Sequence, residues 1–375
     1  MAGTVEVMPE TMRPVEALER IAELLQRVRN SRQKAQAFRR AADAIRDLSD
    51  HDLRELVDSG RLTDLPGIGK STAKVIVEAL AGETPHYLAE LGAPEGPATE
   101  RAGEVCGLLR GDLHLHSDWS DGGSSIEAMA RAAIELGHEY FALTDHSPKV
   151  TVAHGLDADR LREQLDVIDT LNTELAPFRI LKGMEVDILE DGTLDMEHDM
   201  LARLDVVVGS VHSKLRMDAQ PMTDRMVAAL SSPHVDILGH CTGRLVVGHG
   251  RPESQFDAEL VFAAAAHFDK AIEMNARPER LDPPSRLMPL LVESGAKVSI
   301  DSDAHATWQL GWQPYGCHRA AEAEVPVERI VNTWPLDDLL AWTASHAATA
   351  DSTVDPASSV NPGNGSAKPP GAGTG

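Results

Sequence analysis

Asp112-Leu113-His114-Leu115-His116-Ser117-Asp118-Trp119-Ser120-Asp121-Gly122 decides how the rest of this chain is read. Leucine alternates with polar residues, the period of a strand, and alternate strand residues point to one side. His114 and His116 can therefore reach one metal ion, and Asp121 stands just before a glycine. An isolated His-x-His is more often no more than two polar residues at a strand end. The remainder of the chain gives it weight.

Apolar strand-like runs recur down the chain, and nearly every one ends in a metal-binding residue type. Phe141–Asp145 leads to His146, Ile180–Met184 to Glu185, Val206–Val211 to His212, Val235–Gly239 to His240, and Val298–Ile300 to Asp301-Ser302-Asp303-Ala304-His305. Ala271-Ile272-Glu273-Met274-Asn275 is one more strand candidate. The ends recur about every 27 to 40 residues, the length of a βα unit. Helical patterns fill the gaps, as at Ile126 to Leu136 and Leu161 to Leu175. Seven such units predict a closed or nearly closed parallel barrel, with active-site residues at the C-terminal ends of its strands. His114, His116, Asp121, His146, Glu185, His212, His240, Asp303 and His305 then share one rim. Mixed histidine and carboxylate ligands suit Zn²⁺, Mn²⁺ or Fe²⁺ better than Mg²⁺ or Ca²⁺. The series includes no cysteine, which argues against a structural zinc site. Nine ligands exceed the needs of one ion and fit two or three. Divalent ions clustered about 3.5–4 Å apart are typical of phosphoester hydrolysis.

The motifs Asp112-Leu-His114-Leu-His116, Thr144-Asp145-His146, Gly183-Met-Glu185, Ser210-Val-His212, Gly239-His240 and Asp301-Ser-Asp303-Ala-His305 resemble those of the PHP (polymerase and histidinol phosphatase) family. Gly239-His-Cys-Thr-Gly-Arg244 and Ala271-Ile-Glu-Met-Asn-Ala276 look most like the PHP domain at the C-terminus of bacterial family X DNA polymerases. The resemblance covers roughly residues 108 to 345. It implies an α/β fold, a distorted seven-stranded (β/α) TIM-like barrel with a trinuclear site. One metal would take His114, His116, Glu185 and Asp303, a second Glu185, His212 and His240, and a third Asp121, His146 and His305. Glu185, the implied bridge, is expected to be catalytic with Asp303 and His305. Cys241 stands where family X members usually have proline, which leaves the ligand set unchanged.

Composition bounds the rest. At 375 residues the chain is long enough for one barrel and a small domain. The three cysteines, Cys106, Cys241 and Cys317, have no paired spacing, as expected of a reduced intracellular protein. Met1 to Glu10 lacks the pattern of a signal peptide and no apolar run approaches a membrane span, so the expected location is the cytoplasm. The net charge of −24 argues against nucleic acid, but its distribution does not. Arg27, Arg29, Arg32, Lys34, Arg39, Arg40 and Arg46 cluster against the single acid Asp43.

Before the barrel, Leu18, Ile21, Leu25 and Val28 mark one helical face, Phe38, Ala42, Ile45 and Leu48 a second, and Leu53, Leu56 and Val57 a third. Leu65-Pro66-Gly67-Ile68-Gly69-Lys70-Ser71 then opens another helix. This turn resembles a helix-hairpin-helix motif, in which glycines allow close approach and helix N-terminal amides hold a phosphate. A nucleotide P-loop is excluded, because its first glycine would fall on Asp64. With the basic segment, the region resembles the small lyase-type DNA-binding domain that opens family X polymerases. Gly67, Gly69, Lys70, Lys34, Arg39 and Arg40 are its expected DNA contacts. Neither Lys34 nor Lys70 shows in sequence the activation a lyase needs. The expected divisions are a helical domain over 14–92, a linker over 93–109, the barrel over 110–346 and a disordered tail over 347–375. The linker is too short for a polymerase palm, so polymerase activity is not expected.

The leading expectation is a metal-dependent phosphoester hydrolase acting on nucleic acid, as a 3′–5′ exonuclease or in 3′-end processing during DNA repair. DNA is its expected partner, and Arg244, Lys214, Arg277, Arg280 and Asn275 are its candidate substrate contacts near the strand ends. The second reading is a small-molecule phosphatase of the histidinol-phosphate or nucleotide type, favoured by the acidic barrel, which repels a long polyanion. A non-catalytic DNA-binding or polymerase-accessory protein is a third, and the full ligand set argues against it.

Overall fold

The computed structural model describes residues 13–27, 32–46, 48–83, 85–87, 100–246 and 250–351. Among the described residues the N-terminal domain contains the helices α1 (Pro14–Arg27), α2 (Arg32–Ile45), α3 (Asp50–Asp58) and α4 (Lys70–Leu80). None of them could bury its apolar stripe alone. Leu18, Ile21, Leu25, Phe38, Ala42, Ile45, Leu53 and Ile76 meet in one core. Each large side chain so buried contributes about 1.5–3 kcal/mol. Ser49 caps α3, its hydroxyl accepting from the Asp52 N–H while Asp52 answers to the Ser49 N–H.

The expected linker holds a helix. Residues 88–99 lie outside the described residues, and α5 (Glu100–Leu108) comes next, with Ala102 and Val105 buried. Val105 joins the core that also contains Cys317, so this segment belongs to the barrel. The sequence signal was weak because α5 shows only two buried positions between charged residues.

Seven parallel strands succeed one another in chain order: β1 (Gly111–Leu115), β2 (Tyr140–Leu143), β3 (Arg179–Asp187), β4 (Val206–Ser210), β5 (Ile237–Leu238), β6 (Ala271–Asn275) and β7 (Lys297–Asp301). Each neighbouring pair is parallel. The helices between and after them are α6 (Ile126–Glu135), α7 (Ala158–Glu174), α8 (His198–Leu201), α9 (Ala219–Leu230), α10 (Ala258–His267), α11 (Met288–Ser294), α12 (Gln313–Glu322) and α13 (Leu336–Asp351). The strands are buried on both faces, which is why they read as nearly continuous apolar runs. Phe141 and Leu143 pack with residues of α6 and α7. Tyr140 and Ala142 join another cluster with Val206, Val208, Ile237 and Ala271, closed by Leu339 and Trp342 of α13. α13 runs into the expected tail, whose residues 352–375 lie outside the described residues.

The closure between β1 and β7 is the distorted seam of the barrel. Leu115 and Ala304 form one parallel bridge, and the Asp303 N–H donates to the His114 carbonyl at 2.9 Å. Buried carboxylates complete the seam. Asp301 Oδ1 accepts from the Leu113 N–H at 2.8 Å, and Asp112 accepts from the Ser302 N–H at 3.2 Å. Asn332 ties the same strands, donating to Gly111 and Ile300 carbonyls at 3.2 and 3.0 Å. Among the described residues no helix is long and apolar enough to cross a membrane.

Candidate metal centre

All nine expected ligands converge at the C-terminal end of the strands. His114 lies on β1 and His116 just beyond it; His146, His212 and His240 come after β2, β4 and β5; Asp303 and His305 come after β7. Glu185 departs from the strand-end expectation, since β3 continues to Asp187. Its greater length carries Glu185 into the middle of the site. β5 is only two residues long, yet it is in register with β4 and delivers His240.

Glu185 is the hub. Its Oε2 lies 2.8 Å from His146 Nδ1, 3.4 Å from His114 Nε2 and 3.6 Å from His116 Nε2. Its Oε1 lies 2.9 Å from His240 Nε2 and 3.2 Å from His212 Nε2. Asp121 bridges His146 Nε2 at 3.5 Å and His305 Nε2 at 3.4 Å. Asp303 Oδ1 lies 3.6 Å from His116 Nε2. Three groups of side chains each offer ligand atoms within 4.8 Å of one another: His116, Asp121, His146 and His305; His114, His116 and Glu185; and His146, Glu185 and His212. His116 and His146 each belong to two groups, so the ligand clusters share members.

These residues fit a divalent cation. His114 Nε2, both ring nitrogens of His116 and His212, His146 Nδ1, His240 Nδ1 and Glu185 Oε1 are buried without a hydrogen-bond partner. A buried unsatisfied polar atom is unfavourable by about 1–3 kcal/mol. Several converging on one place form a cradle of lone pairs, and the His/carboxylate donor set is that of Zn²⁺, Mn²⁺ or Fe²⁺. The side chains of the site also shift one another's charge. Burial opposes ionisation of Glu185, but His212, His114 and His146 outweigh it and hold the carboxyl well below its usual range. For Asp303 the counterweights to burial are Arg280 and Arg277. Burial and the neighbouring His305 and His146 push His116 down to about 3, and burial with Arg280 pushes His240 to about 3. Burial also opposes the charge on His212, yet Glu185 and Asp187 raise it to about 9.

Asp303 sits at φ +52°, the left-handed region that non-glycine residues rarely occupy. The turn is held by its N–H on His114 and by Arg280 Nε, 2.9 Å from Oδ2. Arg277 reaches Asp303 Oδ1 at 3.5 Å and His305 Nδ1 at 3.3 Å. Asn275 is fully buried and donates to Asp303 Oδ2 at 3.1 Å, so its amide serves a ligand, not the open rim where substrate was expected. Arg244 is likewise turned inward, donating to the Arg280 carbonyl at 2.9 Å and to that of Leu281. Lys214 is exposed, 3.7 Å from Glu190.

Two carboxylates beside the site were not singled out from sequence. Asp187 accepts from the His212 N–H at 3.0 Å, and Glu273 lies 2.6 Å from His114 Nδ1. The available signal was a charged residue inside an apolar strand run, since a buried charge requires a partner.

In the helical domain Gly67 takes φ +90°, and a side chain there would stand 3.1 Å from the Arg40 carbonyl oxygen. Gly69 is the N-cap of α4, but its N–H donates to Thr72 Oγ1 at 2.9 Å. Its amide is therefore occupied within the turn. The Lys70 and Ser71 amides precede the first intrahelical bond, from Ala73 to Gly69. Lys34, Arg40 and Lys70 are exposed. Arg39 is half-buried, its guanidinium 5.0 Å from the ring centre of Trp308, three residues beyond His305. It is a barrel contact where a DNA contact was expected. A cavity of about 150 Å³ beside it is lined by Glu19, Asp43 and Arg46 of the helical domain and by Gly123, Ser124 and Thr307 of the barrel.

A rim of histidines and carboxylates around one buried glutamate, at the strand ends of a (β/α)₇ barrel, defines a metal-dependent phosphoesterase. Residues 112–280 match the family model described as PHP domain, and residues 11–85 that described as helix-hairpin-helix domain, so the chain is a PHP-domain protein with an N-terminal helix-hairpin-helix domain. It is 41% identical over 236 residues to the DNA polymerase/3′-5′ exonuclease PolX of Bacillus subtilis (strain 168), an alignment covering 63% of this chain and 41% of that protein. The chain thus spans about two fifths of the length of that relative. It is 29% identical over 233 residues to a "Probable phosphatase" of Thermoanaerobacter sp. (strain X514), covering 59% of this chain and 89% of the relative. The structure of histidinol phosphate phosphatase from Lactococcus lactis overlaps it with a TM-score of 0.40 at 18% identity, over 57% of this chain and 92% of that one.

Proposed function

We propose that the protein hydrolyses phosphoesters at nucleic-acid ends, as a 3′–5′ exonuclease or a 3′-end-processing enzyme. The observation that carries this reading is the pairing, in one chain, of the nine-residue rim with a hairpin turn whose Lys70 is exposed. The exonuclease named among the relatives supports it.

His114, His116, Glu185 and Asp303 would hold one ion, Glu185, His212 and His240 a second, and Asp121, His146 and His305 a third. Zn²⁺ or Mn²⁺ held there supplies positive charge at the phosphoryl oxygens and lowers the pKa of water. The chain's own residues orient the reaction. Glu185 joins five histidines around one carboxylate. Arg280 fixes Asp303 through Nε, while its Nη1 is buried without a hydrogen-bond partner, a donor suited to a phosphoryl oxygen. Lys34, Arg40 and Lys70 would grip the strand upstream of the reacting end.

A second reading is favoured by a specific observation: the relative named a phosphatase aligns across 89% of its own length. In that reading the substrate is a small phosphate ester. The deciding measurement compares turnover of a 3′-labelled oligonucleotide with that of histidinol phosphate, both with Mn²⁺ or Zn²⁺ present. Stepwise shortening of the oligonucleotide with little turnover of histidinol phosphate is expected. The reverse preference would replace the nucleic-acid reading with the small-molecule one.

A further inference from the structure

We propose that Glu273 is a positioning residue that fixes two metal ligands at once, holding His114 in the tautomer whose lone pair faces the site. The proposal rests on the reading of the rim as a metal centre.

Glu273 lies in the middle of β6 and is completely buried. β6 is bonded to β5 and β7, so its reach to His114 on β1 crosses the barrel rather than tracking a strand pair. Glu273 Oε1 lies 2.6 Å from His114 Nδ1. Its Oε2 accepts the backbone N–H of His240 at 2.5 Å and the Asn275 amide at 3.3 Å. One carboxylate therefore holds a ligand from β1 by its ring and the ligand after β5 by its backbone.

Hydrogen-bond chemistry sets the consequence for His114. A carboxylate only accepts, so Nδ1 carries the proton, and in the neutral imidazole that a metal ion requires the lone pair is then on Nε2. Nε2 is the atom aimed inward: it is buried, lacks a hydrogen-bond partner and lies 3.4 Å from Glu185 Oε2. A carboxylate behind a ligating histidine sets its ring and raises its basicity, and loss of such a partner typically weakens metal binding by about 10–100-fold. Glutamine cannot replace it. An amide has one acceptor and one donor, whereas both Glu273 oxygens face N–H groups. Turned toward His240, its NH₂ meets another donor. Turned toward His114, it donates to Nδ1 and moves the ring proton to Nε2, where it blocks the metal-facing lone pair.

The test is Glu273→Gln in the full-length chain. Chelator-treated wild type and variant are titrated with Zn²⁺ and with Mn²⁺ by calorimetry. The variant is expected to bind at least one equivalent about 10–100-fold more weakly, with the melting temperature of the chelator-treated protein close to that of wild type. A second measurement needs no variant fold. In ¹⁵N-histidine-labelled, zinc-loaded wild type, His114 should carry its proton on Nδ1. Equal metal affinity in the variant, or a wild-type His114 protonated on Nε2, overturns the role of Glu273 and leaves the metal centre standing. Wild type that takes up neither metal overturns both.

Discussion

The barrel rim and the hairpin turn are both read as phosphate-handling regions, and they are built in opposite ways. On the rim Glu185 is 1% exposed and lies within 3.6 Å of five histidines. In the helical domain Lys34, Arg40 and Lys70 stand on the surface of a core they do not enter. A buried, mutually dependent constellation fails as a unit when one member is lost. Exposed cations act on a polyanion one by one, through a field that salt screens. The difference matches two tasks: holding reacting atoms in place, and holding a long substrate nearby without specifying its sequence.

The largest expected effect breaks the rim. Glu185→Ala removes the shared carboxylate, and turnover of p-nitrophenyl phosphate should fall by roughly three powers of ten, matching the several kcal/mol of charge stabilisation a metal site supplies. Elemental analysis should show less bound metal. A variant with a tenth of wild-type turnover at full metal content would show that the hub is assigned to the wrong residue.

The hairpin should respond gradually. Replacing Lys34, Arg40 and Lys70 by alanine should weaken oligonucleotide binding and reduce the slope of log affinity against log salt by about 2.1–2.7, at roughly 0.7–0.9 per phosphate contact. Oligonucleotide turnover relative to that of p-nitrophenyl phosphate should fall in parallel. Unchanged binding at low salt would remove the helical domain from substrate handling.

Acid should separate the regions by stability. Burial pushes His138, between α6 and β2, down to about 4, against a weaker raising contact from Gln313. The unfolded chain, with histidine near 6.5, binds more protons between about pH 4 and 6.5. Stability is therefore present above that window and is lost as pH falls through it. From pH 7 to 5.5 the loss from this group is about 1 kcal/mol, and His138→Gln should remove it from denaturant midpoints. His51 and His86 of the helical domain are exposed. An identical pH response in the variant would assign the effect elsewhere.

The smallest effect tests where the two regions meet. A double-mutant cycle of Arg39→Ala and Trp308→Ala should give a coupling of about 0.5–1 kcal/mol in chemical unfolding, the strength of a partly exposed cation–π contact. Zero coupling would mean that the helical domain and the ligand-bearing loop do not meet through this pair.

Much of this was legible in the sequence because the barrel repeats one arrangement. A buried parallel strand reads as an apolar run, and the residue after it falls on the same rim each time. His146, His212, His240 and Asp303 could thus be placed by position and residue type alone, and the turn through Gly67 and Gly69 by the backbone freedom of glycine. Which strand ran past its rim residue, as β3 does beyond Glu185, depended on pairing with β4. The pairing of Glu273 with His114, 159 positions away, was decided only across the closed barrel. Arg39 was one cation among several until folding set it beside Trp308. Local periodicity records which face of an element is buried, and it carries no information about which distant side chain shares that burial. That pairing exists only once the seven strands have closed.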